Sequence, residues 1–277
     1  MNRSKHTREA LMSLLTAAII SCGDITGPPF PPDAVSMQPP EVYGMWWQLT
    51  EACSGVTGDF ASVRWYEVPH ASQIVVDGRA VQGYWWSEDN RIVLASSEVL
   101  QGQLVRHEML HALTGAGHSH EYFIKRCGGV VVCEADCLTE AGDTPDPPID
   151  APTINPSELS VESSVVPSDA LISTDSGWAA ITITARNTQA VPVWVRMTPV
   201  APGEPAAANF GYDFRCISGG CGGGGEYDYV YADKVGFAAG QTRRLVFDRQ
   251  LEAGTYSLRG FFNVDTTSAT TFQISAQ

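Results

Sequence analysis

His107, Glu108, Met109, Leu110 and His111 are followed by Gly115, Ala116, Gly117 and His118, and this run makes the strictest geometric demand in the chain. Positions four apart on an α-helix lie one above the other on the same face. A helix through the run therefore aims the imidazoles of His107 and His111 at one point, with Glu108 about 100° round from His107. Residues 97–106 carry no proline, Ser96 or Ser97 offers a cap, and Glu98 suits a first turn. Leu100, Leu104, Met109, Leu110, Ala112 and Leu113 fall close to a helical stripe. The helix must then stop: continued, it would place residue 118 roughly 16 Å along the axis from His107, at about 1.5 Å per residue. Gly115 or Gly117 supplies the break, and a chain that folds back brings His118 toward the pair.

Two imidazoles a turn apart, a carboxylate between them and a third imidazole beyond a reversal match the donor set of a catalytic zinc. Such a site takes three protein ligands at about 2 Å and keeps one position open for water. Four of the six histidines, His107, His111, His118 and His120, fall in this one region. His118 is the expected third ligand, with His120, Glu121 and Glu134 as the alternatives. The run resembles the zincin metallopeptidases, and most the metzincin pattern H-E-x-x-H-x-x-G-x-x-H. The likeness covers about a dozen residues. It departs from the pattern in three ways: the last histidine comes one residue late, Thr114 holds the glycine position, and no methionine follows until Met197. The resemblance implies a zinc-dependent peptidase with peptide or protein substrates, His107, His111 and His118 on Zn2+, and Glu108 as general base. It also implies that the strand before the helix, residues 91–96, docks an extended peptide by strand addition. Tyr122 or His120 is a candidate donor to an oxyanion.

The chain opens on Arg3, Lys5 and Arg8, then a short apolar run over 10–20, then Ser21 and Cys22. This is the layout of a secretory signal over residues 1–21. A small residue before a cysteine resembles a bacterial lipoprotein site, which implies lipidation of Cys22 and anchoring in the cell envelope, at the outer membrane in a Gram-negative cell. Residues 22–40 are proline-rich and read as a tether. A net charge of −14 disfavours nucleic acid and anionic lipid as partners.

Seven cysteines in an exported chain point to disulfides. With Cys22 set aside, Cys216 and Cys221 are expected to pair locally and Cys53 to reach the 127–137 cluster. The rival is a cysteine zinc site on Cys127, Cys133 and Cys137, whose spacing lacks the usual close pair. Residues 61–68, 73–77, 81–86 and 91–95 read as strands, the last two as a hairpin turning through Ser87-Glu88-Asp89-Asn90. Trp46, Trp47, Trp65, Trp85 and Trp86 are expected in a core rather than on a sugar-binding platform.

Acidic, proline-rich 141–152 reads as a linker. Strand patterns then recur at 159–162, 179–185, 191–196, 242–247, 254–262 and 270–274. The expected fold is thus a small α+β zincin-like head, 41–140, followed by an all-β immunoglobulin-like sandwich, 153–277. The Gly219–Gly225 run lacks the context of a phosphate loop. The rival to a peptidase is a binding lipoprotein with a structural zinc and a partner-binding sandwich.

Overall fold

The computed structural model describes residues 28–115, 117–133, 146–173, 176–199, 201–203 and 206–275. The signal, Cys22, Glu134, Cys137 and parts of the tether and linker lie outside these. In order come β1 (Val35–Ser36), α1 (Val42–Ser54), β2 (Arg64–Val68), β3 (Ile74–Val76), β4 (Arg79–Val81), β5 (Gly83–Trp86), β6 (Arg91–Ala95), α2 (Gly102–Thr114) and a π-helical turn, His120–Arg126. The second half holds β7 (Thr153–Ile154), β8 (Ser160–Ser173), β9 (Ser176–Arg186), β10 (Val193–Arg196), β11 (Ala207–Gly219) and β12 (Gly224–Val230). It ends with β13 (Lys234–Phe237), β14 (Thr242–Glu252), β15 (Gly254–Phe262), β16 (Asp265–Thr266) and β17 (Thr270–Ile274).

The first half carries the sheet β1-β2-β6-β5 and the small pair β3-β4. The hairpin expected at 81–95 is there, as antiparallel β5 and β6, with Asn90 at φ 49° closing the turn. In the second half strands lie in three sheets: β8-β9-β14, β12-β11-β15-β16 with β17 also on β15, and β7-β10-β13. They surround one core that includes Ile181, Ile183, Tyr212, Phe237, Phe247 and Leu258.

This corrects the expected fold class. The chain is mostly β, its strands spread over many sheets, and a small α+β head followed by an immunoglobulin-like sandwich does not describe it. Two physical reasons stand out. Strands β11, β12 and β13 carry glycines and charges that blur the two-residue alternation, so they did not read as strands. More importantly, the middle sheet is covered on both faces. Ile181, Ile183 and Phe247 point into the sandwich core, while Ala180 and Val246 belong to the core built by α1 and α2. The helices do not close over a sheet of their own. Trp46 of α1 packs edge-on against Trp178 of β9 at 6.0 Å.

Polar groups tie the two parts as well. Arg106 of α2 is fully buried. It donates through Nη1 to both carboxylate oxygens of Asp248 on β14, at 3.0 and 2.9 Å, and through Nε to the Val130 carbonyl at 2.6 Å. Trp46 Nε1 donates to the same Asp248 at 2.9 Å. This explains where α2 begins. It starts at Gly102, with Gln101 at the cap and no side-chain capping bond, not at Ser96 or Ser97. A Cβ on Gly102 would lie 2.2 Å from Asp248 Oδ2, so only glycine lets the backbone enter the helix against that carboxylate. Ser96–Glu98 form a separate 3-10 turn.

Helix α1 has no counterpart among the expected elements. It follows Pro39-Pro40 and ends on Gly55 at φ 70°. Trp46, Trp47, Trp65 and Trp86 are buried, as expected of core residues. Two disulfides agree with expectation: Cys216–Cys221, and Cys53–Cys127, which joins the end of α1 to the end of the π-helical turn. Cys133 is also disulfide-bonded. A zinc site on free cysteines at 127 and 133 is therefore excluded.

Candidate metal centre

Helix α2 carries His107 and His111 one turn apart and stops at Thr114, where Gly115 takes φ 63° and its N–H bonds the His111 carbonyl at 2.8 Å. The left-handed conformation suits glycine and turns the chain back. His118 then faces the pair. Nε2 of His107 lies 2.9 Å from Nε2 of His118 and 3.1 Å from Nε2 of His111, and the third side of the triangle is 3.2 Å. A tetrahedral ion held at about 2.0–2.1 Å separates its nitrogen ligands by about 3.3 Å, so the triangle is within a few tenths of an ångström of that size.

The donor chemistry also fits a cation. Nδ1 of His107 lies 2.7 Å from the Val132 carbonyl oxygen. A carbonyl only accepts, so Nδ1 carries the proton and Nε2 presents a lone pair. One N–H on another ring would satisfy one side of the triangle and leave lone pair against lone pair elsewhere. A cation above the three nitrogens takes all three lone pairs, and the Val132 bond is the kind of outer contact that fixes a ligating imidazole. His107, His111 and His118 can thus hold a metal ion. They are the one such group among the described residues.

The surroundings favour neutral rings and a protonated acid. Burial pushes His107 down to about 3; the neighbouring His111 and His118 act in the same direction and the Val132 bond against it. Burial likewise pushes the Glu108 carboxyl up to about 8, opposed by a hydrogen bond from the Trp85 backbone N–H. Strand β5 supplies that N–H, and the Trp85 ring lies parallel to His111, centroids 6.1 Å apart. Glu108 Oε1 also lies 3.1 Å from where a Gly83 Cβ would stand. The acid and a metal-facing histidine therefore rest on the same strand.

No protein-family profile matches the chain, and no curated protein does. Among solved structures, it is similar to a Northeast Structural Genomics Consortium target, SoR45, at 11% identity over 43% of this chain and 87% of that one, TM-score 0.25. It is similar to a Pseudomonas fluorescens alkylpurine DNA glycosylase, AlkC, at 12% identity over 43% and 31%, TM-score 0.25. A β-glucosidase of Erythrobacter marinus gives 11% identity over 42% and 15%, TM-score 0.26. The chain thus spans under a third of the glycosylase and less of the glucosidase. Superpositions this loose say nothing about function.

Of the alternatives to His118, Glu121 turns away. It is exposed and paired with Arg126 Nε at 2.8 Å and Lys125 Nζ at 3.8 Å. His120 is outside the group, and Glu134 lies outside the described residues. Tyr122 has Arg126 over its ring at 5.5 Å. The strand-addition expectation for 91–96 is corrected: β6 is paired on both sides, to β2 and β5, so its backbone has no edge to offer. Sequence reasoning missed three neighbours. Phe123, fully buried, packs 4.7 to 5.2 Å from all three imidazoles, and Trp85 and Val132 come from other parts of the chain. Only the helical placement of Phe123 just after His118 gave a usable signal.

Proposed function

We propose that the chain is a zinc-dependent hydrolase of peptide bonds, with His107, His111 and His118 on the metal and Glu108 as general base. The observation that carries this reading is the triangle of Nε2 atoms with a buried carboxyl on the same helix. A bound zinc lowers the pKa of a water and polarises a carbonyl. Glu108 takes a proton on its carboxylate and returns it to the leaving amine. The Trp85 N–H orients that carboxylate. Phe123 and Trp85 wall the imidazoles with apolar surface. The resemblance to zincins supports this chemistry through its residues alone.

Export and anchoring through Cys22 belong to the same proposal. The disulfides Cys53–Cys127 and Cys216–Cys221 support an oxidising compartment.

The test combines metal analysis with hydrolysis of a mixed peptide library. Glu108→Gln should keep its zinc and lose turnover by ~100-fold or more. His111→Ala should lose the zinc. Full hydrolysis by the Glu108 variant would reject the mechanism. A wild-type chain that binds zinc and cleaves no peptide would favour the structural-zinc binding protein instead.

A further inference from the structure

The tryptophans are largely buried, but a row of tyrosines is not. Tyr227, Tyr229 and Tyr231 are 38%, 47% and 79% exposed. Tyr227 and Tyr229 alternate along β12, an edge strand, so they stand on one face. Their rings stack at 6.1 Å and 20°. The register identifies that face. Glu226 sits opposite Tyr212, whose ring is in the sandwich core, whereas Tyr227 sits opposite Gly211 and looks outward. Phe261 is the other neighbour of Gly211. A Cβ on Gly211 would come within 2.3 Å of the Phe261 ring, so the ring lies across the glycine. Tyr227 packs on it at 4.9 Å. At the next outward position Asp213 accepts a hydrogen bond from the Tyr227 hydroxyl at 3.1 Å. The result is an aromatic plate with a carboxylate on its rim.

Single exposed aromatics are ordinary, but a contiguous patch marks a binding surface. Its chemistry narrows the partner. With a net charge of −14 and Asp213 on the rim, anionic polymers are repelled. A protein that buried the plate would have to desolvate Asp213. A neutral sugar chain meets the same carboxylate with hydroxyl donors, and the weakly positive C–H faces of its rings suit the negative faces of tyrosine.

We propose that the outer face of β12 binds a neutral, extended polysaccharide of β-1,4-linked hexoses, its rings stacked on Tyr227 and Tyr229, with Tyr231 extending the plate and Asp213 accepting from hydroxyls. This goes beyond the hydrolase reading and does not depend on it, because the readout is binding. The full chain is run on native gels containing hydroxyethylcellulose, with and without EDTA. The wild type should be retarded in both, and Glu108→Gln equally so. The double variant Tyr229→Ala/Tyr231→Ala should melt at the same temperature and bind ~tenfold or more weakly, the scale of a lost aromatic contact. No retardation of the wild type overturns the proposal, as does equal retardation of the double variant. A wild-type dimer in sedimentation that the double variant abolishes, without glycan retardation, assigns the plate to a second copy and also overturns it.

Discussion

His107 and Glu108 are neighbours pushed in opposite directions by the same burial, and pH separates their effects. Glu108 holds its proton longer when folded, so the metal-free fold loses stability as pH rises from 4.5 to about 8. His107 takes a proton more readily when unfolded, so the fold loses stability as pH falls from 6.5 to about 3. Glu108→Gln should therefore leave metal-free stability little changed near pH 4. Above pH 8 it should raise stability by on the order of 4 kcal/mol, read as a urea midpoint at each pH. A gap that fails to widen between those limits would contradict the burial. The three histidines and the acid were legible because i, i+4 spacing and a glycine stop are local rules. Trp85 and Val132 were not, because nothing in their own neighbourhoods records that strand β5 and the segment after Cys127 fold onto α2.

At the level of the element, α2 is held from outside itself. Its fully buried Arg106 meets Asp248 of β14, more than a hundred residues on. Removing one partner of a buried pair leaves an uncompensated charge, at a cost of about 3–5 kcal/mol. Asp248→Ala should show that loss in urea unfolding and also weaken zinc binding, since α2 carries two ligands. Trp46→Phe keeps the ring and removes one bond to Asp248, and should cost about 1 kcal/mol. The stop of α2 was readable from Gly115, but its start was not. Ser96 and Ser97 are good local caps, and the close approach of Gly102 to Asp248 overrides them.

Across the whole molecule, the helices and the sandwich share the middle sheet. A fragment ending at residue 140 would expose Trp46, Met109 and Leu110 where Ala180, Val246 and Trp178 now pack. It should bind the dye ANS and show no sharp thermal transition, whereas the full chain should melt cooperatively. Reducing Cys53–Cys127, 74 residues apart, should cost about 4 kcal/mol by loop closure and lower the melting temperature. Strands with clean alternation, such as β9 and β15, were legible. The layering was not, because a sheet packed on both sides reads as a plain apolar run, and nothing in Ala179-Ala180-Ile181 says which neighbour each residue will meet.

The shared sheet also locks its own alignment. Slide β14 by a single residue and Asp248 would be thrust among the phenyl rings of the sandwich, while Phe247 would confront the guanidinium of Arg106. Both penalties fall at once and on opposite sides. The strand is thus pinned like a key toothed along both edges, and the helix bearing the imidazoles takes its position from that alignment.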